Sequence, residues 1–126
     1  MYRISKDFQF AAAHQIHGHT GGCERMHGHN YRVRVVLEAA ALNELGMVLD
    51  FADLKAIMCE ILEPFDHRVL NDVPPFDELS TTAELLAEHV YLEVRDRLPE
   101  PDRVRVARVE VWESDTACAS FDEGER

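Results

Sequence analysis

Three histidines occupy positions from which they could bind one metal ion. His27 and His29 are two residues apart in a segment that reads as a β-strand, and side chains two apart lie on one face of a strand. His14 has the same parity as Phe8 and Phe10, which places it at the end of a neighbouring strand on the same face. Three histidines without a fourth protein ligand are typical of a catalytic zinc site with one open coordination position. The sequence therefore predicts a Zn²⁺ site.

Cys23 lies four residues before His27 and could reach the same site. A thiol beside zinc and a cationic histidine has a lowered pKa, so Cys23 is a candidate catalytic base. Ligation by Cys23 would close the metal site, and the catalytic interpretation therefore predicts that this thiol stays off the metal. A fourth ligand and a structural thiol are the alternatives. His17 and His19 form a second pair, but in a glycine-rich loop with less fixed geometry.

Two further positions carry chemistry. Asp66 directly precedes His67, as in the orienting pair of an acid/base system, although neighbours in an extended segment point oppositely and a direct hydrogen bond needs a turn. Glu113 continues the inward face of the last predicted strand, which is an unusual place for a carboxylate.

An ordered set of motifs over nearly the whole chain resembles the 6-pyruvoyl-tetrahydropterin synthase family. The motifs are Phe10-x-Ala12-Ala13-His14, Cys23-x-x-x-His27-Gly28-His29-Asn30-Tyr31, Gly46-Met47-Val48-Leu49-Asp50-Phe51, Asp66-His67-x-x-Leu70-Asn71 and Glu113. The step from Cys23 to His27 is similar to that of the family's bacterial branch, the 6-carboxy-tetrahydropterin synthases. Ser80-Thr81 stands where the family often has Asn-Pro before the Thr, and the local loop geometry can differ there.

The resemblance implies a zinc-dependent lyase. Its substrate would be 7,8-dihydroneopterin triphosphate, and its product 6-carboxy-5,6,7,8-tetrahydropterin for 7-deazaguanine and queuosine synthesis, with release of triphosphate and acetaldehyde. Cys23 would remove one proton, and the pair Asp66/His67 would relay another. Since zinc is redox-inert, the ring would be reduced by electrons from the substrate's own side chain, in agreement with the absence of a glycine-rich dinucleotide motif.

The resemblance also implies the residues that hold the substrate. Glu113 would accept two hydrogen bonds from the 2-amino and ring N–H groups of the pterin. Thr81 and Thr82 would add hydroxyl contacts near the ring.

Other functions remain open from the sequence. A second hypothesis in the same enzyme class is 6-pyruvoyl-tetrahydropterin synthase or a folate-pathway dihydroneopterin side-chain lyase. Release of acetaldehyde would indicate the 6-carboxy reaction, and its absence would indicate this second hypothesis. A third hypothesis is a non-catalytic, zinc-stabilised binding module. Such a module would tolerate Cys23→Ala and would unfold when zinc is removed.

The elements that must position these residues are predicted in the order of two strands, two helices and two further strands. We predict strands at 2–14 and 27–39, a helix from Asp50 to Pro64, a loop over 66–77, a helix capped by Thr81 or Thr82, a strand at 104–113 with a bulge near Ala107, and a fourth strand within 115–121. This order predicts one α+β domain over 1–126, an antiparallel sheet with both helices on one face. The resemblance implies the tunnelling fold, whose subunits join into an oligomeric barrel; we expect a homohexamer, a dimer of trimers.

Composition limits the partners. The net charge of −11 over 126 residues opposes general nucleic-acid binding, because an acidic field repels phosphates. No stretch approaches the roughly 20 apolar residues of a membrane span, and the three cysteines without a secretory signal predict a cytoplasmic location. The candidates for binding an anionic substrate's phosphates are Lys6, Arg25, Arg32, Arg34, Lys55 and Arg68.

Overall fold

The structure, a computed structural model, describes residues 1–17 and 25–124. In chain order its elements are β1 (Tyr2–His14), β2 (His27–Ala39), α1 (Phe51–Leu62), β3 (Arg68–Val69), α2 (Ala83–Arg97), β4 (Val104–Ser114) and β5 (Ala117–Phe121), with a 3₁₀ turn at Leu70–Asp72. The predicted α+β class is confirmed. The bounds of β1 and β2 are those that the sequence predicted.

The five strands form one sheet in the order β3-β1-β2-β4-β5. Pairing is antiparallel along β1, β2, β4 and β5. The register of β1 and β2 sets His14 opposite His27 and Ala12 opposite His29. The end of β1 and the start of β2 therefore carry all three histidines at one corner of the sheet.

Strand β3 differs from the prediction, which assigned 66–77 entirely to a loop. Arg68–Val69 pairs in parallel with β1, and two residues are too few to show a strand's alternation in the sequence. Tertiary hydrogen bonds fix it instead. The backbone N–H of His67 donates to the Ala11 carbonyl at 2.6 Å, and the Asp66 carboxylate accepts from the Ala11 N–H at 3.0 Å.

Alternate residues of each strand build the buried face of the sheet. In β2, Tyr31, Val33, Val35 and Leu37 are completely inaccessible to solvent, and they continue the face of the two β2 histidines. Both helices pack over this face and complete one hydrophobic core. Each buried aliphatic side chain contributes roughly 1.5–3 kcal/mol, and a one-residue slip of β2 would expose the whole set, so burial fixes the register that aligns the histidines.

Polar side chains start both helices. The Asp50 carboxylate accepts a hydrogen bond from the Ala52 N–H at 2.8 Å and caps α1. Of the two threonines proposed for α2, Thr82 is the cap: its hydroxyl accepts from the Leu85 N–H at 3.3 Å. No helix within the described ranges is both long and apolar enough to cross a membrane.

Strand β4 contains the predicted bulge. Val36 pairs with Arg108 and Leu37 with Val106, which leaves Ala107 as the extra residue. As a consequence the valines on both sides of the bulge are all buried, although their numbers change from even to odd. The phase change in the sequence is thus explained by one inserted residue, as predicted.

The opposite face of the sheet carries paired charges. The buried carboxylate of Glu38 accepts hydrogen bonds from Arg3, at 2.9 Å, and from Arg105, and so links β1, β2 and β4. Burial alone would raise the pKa of Glu38, but the hydrogen bonds from Arg105 and Arg3 outweigh it and lower this pKa. Asp7 and Arg34 form a more exposed pair at 2.7 Å.

Candidate metal centre

The Nε2 atoms of the three histidines lie close together. His14 Nε2 lies 3.0 Å from His27 Nε2 and 3.1 Å from His29 Nε2. His14 is 1% exposed, whereas the other two are partly open to solvent. The core packing of β1 and β2 therefore delivers three imidazole nitrogens to one point at the edge of the core.

Hydrogen bonds to the backbone orient two of the rings. His14 Nδ1 lies 2.8 Å from the Thr81 carbonyl oxygen, and His27 Nδ1 lies 2.8 Å from that of Arg25. A carbonyl oxygen only accepts, so each Nδ1 carries a hydrogen, and the uncharged form of each ring has its Nε2 lone pair directed inward. Two lone pairs 3.0 Å apart repel unless a cation or a proton lies between them. The donor set fits a divalent metal ion.

Glu113 adds an oxygen to this group. Its Oε2 lies 3.0 Å from His29 Nε2, and one donor atom from each of the four residues falls within 4.8 Å of all the others. Glu113 lies at a second bulge: Trp112 pairs with Cys118 and Ser114 with Ala117, which leaves Glu113 as the extra residue toward β5. The sequence placed Glu113 on the inward face but gave no signal for this second bulge.

Asn71 supports the site in a way that sequence reasoning missed. Its side-chain oxygen accepts from the Gln15 N–H at 2.9 Å, and its side-chain nitrogen donates to the Gln15 carbonyl at 2.8 Å. The Thr81 hydroxyl donates to the same carbonyl at 3.3 Å. These bonds hold the residue directly after His14. The available signal was the position of Asn71 in the motif that begins at Asp66, to which no role was assigned.

Asp66 and His67 form the predicted pair. His67 Nδ1 lies 3.0 Å from Asp66 Oδ1, and a φ of 60° at His67 supplies the turn that adjacent residues need for this contact. The hydrogen bond from the Ala11 N–H is the main cause that lowers the pKa of Asp66, and the bond with His67 adds to it. The His67 side chain is 80% exposed. Among the described residues, the group that could hold a metal does not include this pair.

The two predicted threonines make contacts within the protein. Thr81 is completely buried, and its carbonyl and hydroxyl serve His14 and Gln15. The Thr82 hydroxyl caps α2. Their predicted substrate contacts stay predictions.

The remaining candidates lie elsewhere. Cys23 and His19 are outside the described residues, and His17 is described but does not belong to the metal-capable group. Two basic candidates lie on the sheet face opposite the histidines, where Arg34 pairs with Asp7 and the Arg32 guanidinium stacks 4.4 Å from the centre of an indole ring.

Comparison with known proteins agrees with this arrangement. A family model described as 6-pyruvoyl tetrahydropterin synthase matches residues 3–124. The 6-carboxy-5,6,7,8-tetrahydropterin synthase of Haemophilus influenzae is 30% identical over 98% of this chain and 100% of its own length. The Synechocystis protein of the same name is 36% identical over 96% of this chain and 93% of its own.

A solved structure agrees over the same extent. The 6-pyruvoyl tetrahydropterin synthase of Caenorhabditis elegans superposes with a TM-score of 0.85 at 26% identity, and the match covers 98% of this chain and 96% of that one. The sequence match and the fold thus span the corner of the sheet that carries the histidines. The chain belongs to the 6-pyruvoyl tetrahydropterin synthase family.

Proposed function

We propose that the protein is a zinc-dependent lyase that converts 7,8-dihydroneopterin triphosphate to 6-carboxy-5,6,7,8-tetrahydropterin and releases triphosphate and acetaldehyde, in 7-deazaguanine and queuosine biosynthesis. The observation that carries the proposal is the convergence of three histidine Nε2 atoms, two of which belong to rings whose Nδ1 atoms donate to backbone carbonyl groups. Relatives named 6-carboxy-5,6,7,8-tetrahydropterin synthase over nearly the full chain support the choice of reaction.

The metal would be held by His14, His27 and His29. Zn²⁺ held there would supply a Lewis acid for an oxygen of the substrate's side chain, which would acidify the neighbouring C–H. Cys23, in the segment that leads to His27, would remove that proton. The backbone bonds at the Nδ1 atoms of His14 and His27 keep the rings aimed inward before any substrate arrives.

His67 would move a second proton. Because Asp66 accepts from its Nδ1–H, the Nε2 of His67 is left to give or take a proton at the substrate. The pair lies outside the histidine group of its own chain, which supports an arrangement in which it serves the site of a neighbouring copy. We therefore propose a homohexamer built from two trimers, with active sites between subunits.

Glu113 would hold the pterin ring. An ionised carboxylate can accept hydrogen bonds from the 2-amino group and the adjacent ring N–H at the same time. This pair of neighbouring donors would make the contact specific for the pterin ring. Thr82 would contact the ring only by sharing the hydroxyl that caps α2. The ring would be reduced by electrons from the substrate's side chain, without a nicotinamide cofactor.

The free cysteines and the net charge support a cytoplasmic location and a small-molecule partner. Cys59 and Cys118 are free and exposed, which supports a reducing compartment such as the cytoplasm. The net charge of −11 supports a small-molecule substrate rather than a nucleic acid.

A second candidate function is 6-pyruvoyl-tetrahydropterin synthesis, favoured by the structural match to the C. elegans enzyme of that name. Incubation of the zinc-loaded protein with 7,8-dihydroneopterin triphosphate, followed by product analysis, separates the two. Acetaldehyde and a 6-carboxy product support the proposal; a 6-pyruvoyl product or a folate-type pterin alcohol without acetaldehyde supports a side-chain lyase of another pathway. No turnover with bound zinc would indicate a binding module.

A further inference from the structure

We propose that Arg32 and Trp112 form a binding site for the phosphate group of a small molecule. The two side chains lie opposite each other on β2 and β4, on the sheet face that the helices leave uncovered, which we call the open face. The three converging histidines lie on the other face. The inference therefore does not depend on the proposed function.

Arg32 carries a charge that no acidic group of the open face balances. The other arginines of this face are paired with carboxylates: Arg3 and Arg105 with Glu38, Arg34 with Asp7, and Arg108 with Glu110. Within the described residues, Arg32 makes no hydrogen bond or ion pair, and its Nε atom is buried. A partly buried cation without a counter-charge is unfavourable, and a bound anion would offset that cost.

Trp112 holds the guanidinium group in one orientation. The central carbon of the guanidinium lies 4.4 Å from the centre of the indole ring. The indole is itself fixed, because its Nε1–H donates to Glu110 at 3.2 Å and Glu110 accepts from Arg108 at 2.8 Å. Stacking leaves the edge of the guanidinium open, and its two terminal nitrogens are the donors that a ligand can reach. The site is thus ordered before a ligand binds, which lowers the entropic cost of binding.

Two neighbouring carboxamides favour a phosphate over a carboxylate. Gln9 lies directly opposite Arg32 on β1, Asn30 precedes Arg32 by two residues on the same face of β2, and both are exposed. A carboxylate has two oxygens, and a bidentate contact with the guanidinium uses both. A phosphate has further oxygens, which can accept hydrogen bonds from the carboxamide N–H groups.

The charges around Arg32 leave it as the local excess. Arg34 and Arg108 lie closest on the same face, and each is neutralised by its carboxylate. Asp122 lines a cavity beside Arg108, four residues along β4 from Trp112, which corresponds to about 13 Å. That distance exceeds the Debye length of about 8 Å at physiological ionic strength. The field at the site is therefore positive, although the chain carries a net charge of −11.

Fluorescence gives the first test, because Trp112 is the only tryptophan of the chain. Inorganic phosphate is added to the unmodified protein at constant ionic strength, and acetate is the control anion. Phosphate should change the emission of Trp112 saturably, and acetate should not. An emission that does not respond to phosphate, or that responds equally to acetate, would overturn the inference.

Calorimetric titration of variants with inorganic phosphate gives the second test, since this readout does not depend on the tryptophan. In Arg32→Gln the dissociation constant should rise at least about 10-fold, because the charge-assisted hydrogen bonds are lost. Trp112→Leu should also bind more weakly, because the guanidinium loses its support. Arg105→Gln is the matched control: it removes the same charge from the same face, leaves Glu38 paired with Arg3, and should bind phosphate unchanged.

The variants also exclude binding at the metal centre. Phosphate bound there would bind equally to Arg32→Gln and to the unmodified protein, and this result would overturn the inference. Inorganic triphosphate in place of phosphate distinguishes two sources of the ligand: tighter binding of triphosphate indicates a polyphosphate, and tighter binding of phosphate indicates a single phosphate group. Neither measurement needs turnover, so failure of the proposed function would leave phosphate binding intact.

Discussion

Backbone carbonyl groups, and not side-chain carboxylates, orient two of the three histidines. The Thr81 carbonyl fixes His14, and the Arg25 carbonyl fixes His27. No substitution of a single side chain removes either acceptor. The orientation of these two rings therefore depends on the backbone conformation of the segments that precede α2 and β2.

Removal of metal and removal of the base should be separable. Cys23→Ala should keep its zinc and its fold while turnover falls about 10²- to 10⁴-fold, the usual scale for a positioned acid or base. His29→Ala should lose the zinc and with it all turnover, since His29 contributes one of the converging nitrogens. Metal analysis and steady-state kinetics on both variants test this.

Either of two results would show that the thiol has another role. Loss of zinc from Cys23→Ala would make it a ligand. Normal turnover by Cys23→Ala would leave it without a catalytic role.

A histidine away from the site should make stability depend on pH. His89 on α2 packs against Phe65 and Phe76, with ring centres 5.5 and 5.6 Å away. Burial lowers its pKa, and the charge of Glu93 opposes this only in part. The folded protein therefore binds fewer protons than the unfolded chain, and the free energy of unfolding should fall as pH drops below the ordinary value of about 6.5.

The comparison with His89→Gln isolates this effect, because the two proteins differ only at His89. Denaturant unfolding at about pH 7.5 and about pH 5.5 should show a larger loss for the unmodified protein than for His89→Gln. An equal loss of unfolding free energy in the two proteins would mean that protonation of His89 does not destabilise the fold.

At the scale of elements, one carboxylate ties three strands together. Glu38 on β2 is buried between Arg3 of β1 and Arg105 of β4. Glu38→Gln should lower the free energy of unfolding by about 1.5–3 kcal/mol at neutral pH, because hydrogen bonds to a charged group are lost. Asp7→Asn is the control. Its pair with Arg34 is 39% and 35% exposed, and a surface pair contributes at most about 1 kcal/mol.

The pH dependence of Glu38→Gln has a defined sign. The pKa of Glu38 is lowered in the folded protein, so its stabilisation is present above the ordinary carboxyl pKa and is lost as pH falls through the folded value. The difference from the unmodified protein should therefore shrink in acid. Chemical denaturation measures both quantities, and a difference that grew in acid would contradict the assignment.

Elements with a regular pattern could be predicted from the sequence, and contacts between distant segments could not. Alternation gave β1 and β2, and the phase change of the valines gave the bulge at Ala107. Strand β3 depends on the bonds of Asp66 and His67 to Ala11, 55 residues away for the Asp66 bond, and it has no pattern of its own. The same holds within the site. Strand alternation predicted that the histidines share one face, but it could not predict the hydrogen bond of His14 to the Thr81 carbonyl, 67 residues away.

At the scale of the whole molecule, the sheet ends in two edges. Strands β3 and β5 each pair with one neighbour only within the described chain, and unpaired strand edges invite association. We expect a symmetric oligomer of six chains. Light scattering should report a mass close to six times that of the chain, and a stable monomer at micromolar concentration would contradict the expectation.

Strand β4 is one residue longer than its ladder with β2 requires. Without Ala107, the pairs Val106–Leu37 and Arg108–Val36 would follow each other directly, and the same valines would face the core. Glu113 would still point at His29; the strand would lose only its local bend and twist. The length of β4 is thereby uncoupled from the position of its carboxylate. Loss of one residue at this point would leave the carboxylate on the face of the histidines, whereas loss of one residue between Val109 and Glu113 would turn it to the face of the arginines.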